Sequence, residues 1–261
     1  MPLPLGARFK GSPSQHSISR SPTLSSAFSV INGAHCNGTD TSGCNQSRPT
    51  AAVGNSPQAL GLNSNNHTVY VTNTDDNTVS VIDGNTCNGT NTSGCGQTPA
   101  MASAGAAPRA VGVDAGTNTV FVGNRDDMTV SVIDGSRCNG TDTSGCGQTP
   151  FVVAVAAFPN VAPNYEYILG RGIAIDPTSH NVFVPVIGDS DVVVINGRAC
   201  RGGNTAGGQA KVVPLRMGGW PVALTVDESS GTVYVSNNVD GTVSLFSADA
   251  PLWNRSVRHE R

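Results

Sequence analysis

An all-β propeller of four-stranded blades is the fold this sequence predicts, and three observations carry the prediction. The segment His67 to Pro99, HTVYVTNTDDNTVSVIDGNTCNGTNTSGCGQTP, returns fifty-one residues later as NTVFVGNRDDMTVSVIDGSRCNGTDTSGCGQTP, with looser copies on both sides. Within each copy, apolar residues alternate or form short β-branched groups bounded by Asn, Asp and Gly, the pattern of strands joined by tight turns. The 261 residues contain 31 Gly, only 13% are charged, and the longest apolar run is the eight residues FVVAVAAF from Phe151. That run is too short to cross a bilayer as a helix. Four antiparallel strands recurring at a period near 50 residues indicate propeller blades rather than a sandwich.

Residues 1–27 are rich in Ser, Pro and basic residues, lack the apolar core of a secretory signal, and read as a disordered segment. The repeat region covers 28–247. It opens with a partial unit, 28–57, which matches only the back half of the copies that follow. Complete units run over 58–108, 109–170 and 171–221, a partial one over 222–247, and 248–261 is a tail outside the pattern. Strand A is ALGL, AVGV, GIAI and ALTV in successive copies. Strand B is TVYVTN, TVFVGN, NVFVPV and TVYVSN, and strand C is TVSVID twice, then VVVIN and TVSLFS. Strand D is the faintest, read from TPAMASAGA and FVVAVAAF. The result is about three complete and two partial blades.

The turns follow from their residues. Between A and B stand His67, Asn118, His180 and Gly231, all types enriched at positive φ, which a tight hairpin requires. Between B and C stand Asp76, Asp127, Asp189 and Asp240, each able to accept a backbone N–H and close its own turn.

The strings PRAVGVD, TVYVTN and TVSVID resemble the bacterial YVTN-type β-propeller repeat, whose namesake tetrapeptide lies within Thr68 to Asn73. The resemblance covers roughly residues 28 to 247. It implies a propeller related to surface-layer and periplasmic proteins and to lactonase-like and lyase-like enzymes, commonly with seven blades. Seven units of this length need roughly 350 residues, so the chain is expected to be incomplete relative to such a parent, an open arc with edges prone to self-association.

Seven cysteines give the clearest chemical signal. Cys36 and Cys44, Cys87 and Cys95, and Cys138 and Cys146 form three C-x7-C pairs in nearly identical loops, while Cys200 faces Gly208 where a partner would stand and is left a free thiol. Two thiolates per loop without His support do not make a zinc site, so disulfides are expected, and with them an oxidising, extracytoplasmic compartment: secreted, periplasmic or cell-surface. Residues 1–27 show no secretory signal, which stands against that location unless the true N-terminus lies upstream. The N-x-S/T triplets at Asn37, Asn45, Asn66, Asn88, Asn91, Asn139 and Asn254 are glycan acceptors in a eukaryotic secreted protein or, in this Asn- and Thr-rich setting, turn residues.

A net charge of −3 argues against a nucleic-acid partner. In a four-stranded blade the D-to-A and B-to-C connections share one face of the disc, and the A-to-B and C-to-D connections share the other. Gln58, Arg109, Arg171 and Val222 begin the innermost strands and ring the channel mouth on the Asp-turn face, where the insertion from Phe158 also lands. Arg109 and Arg171, with Gln58, are candidates to bind an anionic group under a lid of Tyr165, Glu166 and Tyr167. The competing reading pairs each Arg with a neighbouring Asp. Only three Glu occur, and no Ser-His-Asp set, phosphate loop or H-E-x-x-H is present, so no catalytic residue, metal site or cofactor is assigned. The reading is a binding or scaffold propeller for an unknown protein or small-molecule ligand. The alternative is a metal-dependent lactonase- or lyase-like enzyme at the channel mouth.

Overall fold

The computed structural model describes residues 26–155, 169–187, 190–201, 213–217, 219–249 and 258–260. Its strands form five antiparallel sheets taken in chain order. The first holds β1 (Ala27–Ser29) and β2 (Thr50–Ala52). The second holds β3 (Pro57–Asn63), β4 (Thr68–Asn73), β5 (Thr78–Asp83) and β6 (Ala100–Ser103). The third repeats it with β7 (Pro108–Asp114), β8 (Thr119–Asn124), β9 (Thr129–Asp134) and β10 (Phe151–Ala154). The fourth contains β11 (Ala174–Ile175), β12 (Asn181–Val186), β13 (Asp191–Asn196) and β14 (Val213–Arg216). The fifth contains β15 (Pro221–Asp227), β16 (Thr232–Asn237), β17 (Thr242–Ser247) and β18 (Arg258–Glu260).

The sheets follow one another as propeller blades do. Innermost strands are neighbours in series, β3 against β7, β7 against β11 and β11 against β15. The core is not one globule but a set of seams between successive sheets. Tyr70, Val79 and Val81 of the second sheet pack on Val120, Val122 and Ile133 of the third. Phe121, Val130 and Val132 of the third meet Val182, Val184 and Ile195 of the fourth. Phe183 of the fourth meets Phe246 of the fifth edge-to-face, with ring centroids 5.5 Å apart. With a neighbouring sheet on both faces, β4 and β8 are buried along their whole length, whereas β16 of the fifth sheet is buried only on alternate residues. This is why TVYV and TVFV read as unbroken β-branched and aromatic runs rather than alternating ones. At Gly112 the inner strands come so close that a Cβ would lie 2.7 Å from Ile173 Cγ2, which excludes a side chain.

Two features differ from the sequence reading. The fifth sheet is not three-stranded. Part of the C-terminal tail returns as β18 and pairs with β17, placing Val243 opposite Glu260 and Leu245 opposite Arg258. The edge of β17 has N–H and C=O groups that need partners, and any extended segment can supply them, whatever its sequence. Second, the innermost strand of the fourth sheet is cut to two residues. The turn prediction between A and B holds at each position, with φ of 52° at His67, 52° at Asn118, 59° at His180 and 60° at Gly231.

Candidate functional site

The Asp-turn face is built on one device written three times. Asn73, Asn124 and Asn237 end β4, β8 and β16 and are buried. Each donates through Nδ2 to a Thr and a Ser on the next strand: Thr78 and Ser80, Thr129 and Ser131, Thr242 and Ser244, at 2.7 to 3.0 Å. The Ser hydroxyls in turn accept from the incoming D-to-A connection, Gly54 N–H on Ser80 and Gly105 N–H on Ser131. Asp76 takes the next donor, Asn55 N–H at 2.6 Å, and Asp127 takes Ala106 N–H at 2.5 Å. Asp240 accepts from Gly219 N–H in the same way.

These carboxylates therefore do not close their own turns, as their position suggested. The turns are closed by positive φ at the following residues, 55° at Asn77, 50° at Met128, 55° at Ser190 and 64° at Gly241. Each Asp is free to hold a backbone 21 residues earlier in the chain. The hydrogen bonds from Asn55 hold the Asp76 carboxyl below the usual carboxylate range. Asp189, the fourth of the set, lies outside the described residues.

The fourth copy abandons the device, and its sequence shows why. There Val186, Asp191 and Val193 stand where the others have Asn, Thr and Ser. Its D-to-A connection is the long insertion, so there is no short Gly-containing loop to grip. Instead Leu169, buried, bridges to Val186 and fills the place apolarly.

Of the residues the sequence nominated for a ligand, Gln58 and Arg109 lie near the starts of the adjacent inner strands β3 and β7, and Arg171 lies just before β11. Gln58 and Arg171 are exposed, and Arg171 N–H donates to Val222 O at 2.9 Å, tying it to the fifth sheet. Arg109 is half-buried. The Asp126 carboxyl is held below its usual range first by the hydrogen bond from Arg125, with a smaller contribution from the Arg109 charge. Tyr165, Glu166 and Tyr167 lie outside the described residues.

The opposite face carries the cysteine loops. Cys36–Cys44, Cys87–Cys95 and Cys138–Cys146 are disulfides, with Cα atoms 4.7 to 4.8 Å apart. Cys200 is a buried free thiol whose pKa burial raises, and Gly208 lies outside the described residues. In each loop one Asn organises the backbone. Asn88 Oδ1 accepts from Thr90 and Asn91 N–H while its Nδ2 donates to Gly84 and Asn85 O. Asn37 and Asn139 make the same bonds, which supports reading these triplets as turn residues. Between the first and second loops lies an open cavity of about 730 Å³ edged by His35, Ser42, Gln46, Arg48, Gly89 and Thr92. His35 Nδ1 is 3.1 Å from Asp40, and Arg48 donates to Cys44 O. Sequence reasoning missed this recess because it exists only where loops of successive copies stack.

Across the A-to-B turns, His180 Nδ1 lies 2.6 Å from Asp114 Oδ2, and Asn63 donates to Asn118 at 2.9 Å. Both contacts join adjacent sheets at one matched position. Among the described residues, no group of three or more His, Cys, Asp or Glu comes together in a way that could hold a metal ion. Nor, among them, is any helix long and apolar enough to cross a membrane.

No family model matches this chain, and no curated protein does. In fold, 93% of it matches 64% of a protein from Lactobacillus plantarum, at 14% identity and a TM-score of 0.58. A further match covers 90% of this chain and 58% of a chain in the mitotic checkpoint complex, at 11% identity and a TM-score of 0.58. The chain thus spans less than two thirds of either. Identities this low show a shared fold, and the fold is a β-propeller.

Proposed function

We infer that this chain is an extracytoplasmic β-propeller of the YVTN repeat type whose work is binding or scaffolding rather than catalysis. One observation carries the reading. In each described B-to-C turn with the repeat's Asp, that carboxylate grips a backbone, Asp76 on Asn55, Asp127 on Ala106 and Asp240 on Gly219, while the preceding Asp75 and Asp126 bond to the side chains of Ser56 and Arg125. A carboxylate committed to a structural N–H is poorly suited to proton transfer or metal binding. The three disulfides support an oxidising compartment, since such bridges do not persist in a reducing cytosol.

The ligand site proposed is the channel mouth, with Arg171 as its main cation, Gln58 and Arg109 beside it, and Tyr165, Glu166 and Tyr167 as a cover. Arg171 is exposed, while Arg109 already lies close enough to Asp126 to influence its charge. The test is a thermal-shift screen of the oxidised chain against anionic metabolites and peptides. The reading predicts a hit that Arg171→Ala abolishes and Arg109→Ala weakens. A hit indifferent to both substitutions removes this site, and a stoichiometric divalent ion by elemental analysis favours the metal-dependent enzyme instead.

A further inference from the structure

The buried amide and hydroxyl at the end of the second sheet's middle strands reach a sulfur atom. Ser80 is fully buried, and its Oγ accepts from Asn73 Nδ2 at 2.9 Å and from Gly54 N–H at 3.2 Å, which uses both of its lone pairs. Its own proton goes outward. Ser80 Oγ–H donates to Met101 Sδ at 3.3 Å, and Asn73 Nδ2 donates to the same sulfur at 3.8 Å. A thioether is a weak acceptor, but here two donors converge on it and both are buried. Met101 is therefore held with one side of its sulfur against Asn73 and Ser80.

The other side of the sulfur is open. Met101 lies on the outer strand β6, opposite Ser80, and is 39% exposed. In the third sheet Val152 stands at the same register, opposite Ser131, and is 46% exposed although a four-stranded sheet lies on each side of it. Exposure at this register thus belongs to the outer strand itself. The other two methionines among the described residues are better covered: Met217 is buried, and Met128 is half-buried against the seam of the third and fourth sheets.

We propose that Met101 is a peroxide-reactive modification site at which the fold permits only one sulfoxide epimer to form. The solvent-facing lone pair of Sδ attacks an oxygen of a hydroperoxide. The S–O bond forms as the O–O bond breaks, the sulfur is oxidised by two electrons, and the proton on the transferred oxygen passes to the leaving oxygen, which departs as water or an alcohol. The lone pair turned toward Asn73 and Ser80 is closed to the oxidant because both residues are buried. Oxidation makes the sulfur a stereocentre, so attack from one side gives one epimer, whereas a methionine free to turn gives both. Each epimer has its own reductase, which makes the modification reversible.

The test is brief exposure of the full, disulfide-bonded chain to dilute hydrogen peroxide, followed by digestion and mass spectrometry. Met101 sulfoxide is expected to appear ahead of the sulfoxides of Met128 and Met217. Portions of the digest are then treated with one or the other of the two epimer-specific methionine sulfoxide reductases. With one enzyme the Met101 sulfoxide is expected to disappear almost completely, and with the other to remain. A chain oxidised while unfolded in urea is expected to lose about half to each enzyme. Equal losses to the two enzymes after native oxidation, an epimer preference that persists in urea, or oxidation of Met128 or Met217 ahead of Met101 overturns the proposal.

Discussion

Asn124 shows how much of this fold rests on a single amide. Buried at the end of β8, it satisfies Thr129 and Ser131, and Ser131 then receives the Gly105 N–H. Asn124→Val leaves those hydroxyls without their donor inside the protein, at a cost of about 2 kcal/mol in urea unfolding. The same valine is native at Val186, where Val193 replaces the serine, so adding Ser131→Val to Asn124→Val should recover part of the loss. Asp76 makes a pH prediction. Its pKa is lowered in the folded chain, so its contribution to stability is complete above the unfolded value of about 3.9 and is lost as pH falls through the lower folded value. Denaturation followed against pH is expected to show stability falling only below about pH 4. Asp76→Asn is expected to lower stability at neutral pH and flatten that acid limb. The aspartates were legible in the sequence as turn residues, but their partners were not. Each donor lies in the preceding connection, across the unit boundary drawn from the repeat, and spacing alone gives no sign of which backbone amide a turn carboxylate will meet.

At the scale of elements, the middle strands and the cysteine loops were legible because each is a near copy of the others. TVYVTN and TVFVGN each fill a seam on both faces, so their chemistry is held constant, and TVYVSN keeps the same pattern although β16 is buried only on alternate residues. Outer strands bear no such demand. β6, β10 and β18 share no motif and are placed by hydrogen bonding to the strand within, which is why β18 was invisible in the tail. The candidate site was less legible than the fold. The position of Gln58, Arg109 and Arg171 at the inner-strand starts could be read from the period, but the approach of Arg109 to Asp126 depends on side-chain paths that no pattern encodes. The disulfide loops give a prediction at this scale. Each bridge closes a nine-residue loop and contributes about 2.5 kcal/mol by restricting the unfolded chain. Replacing Cys87 and Cys95 together by Ser is expected to lower the unfolding free energy by that amount. Because Asn88 holds the loop by itself, the circular dichroism spectrum is expected to change little.

For the molecule as a whole, stability is a series of joints between neighbouring sheets rather than one shared core, as in other repeat architectures. A substitution at an inner joint should then act on two sheets at once. Gly112→Val drives a side chain into Ile173 and is expected to destabilise by several kcal/mol, loosening both the third and fourth sheets in hydrogen exchange. The account's central claim is that each disulfide belongs to its own blade and that Cys200 is sealed in a seam. A non-reducing peptide map of chain made in an oxidising compartment, alkylated once native and once unfolded, tests it most directly. The predicted result is Cys36–Cys44, Cys87–Cys95 and Cys138–Cys146, with Cys200 labelled only after unfolding. A bridge joining two different loops, or rapid labelling of Cys200 in the native chain, would contradict it.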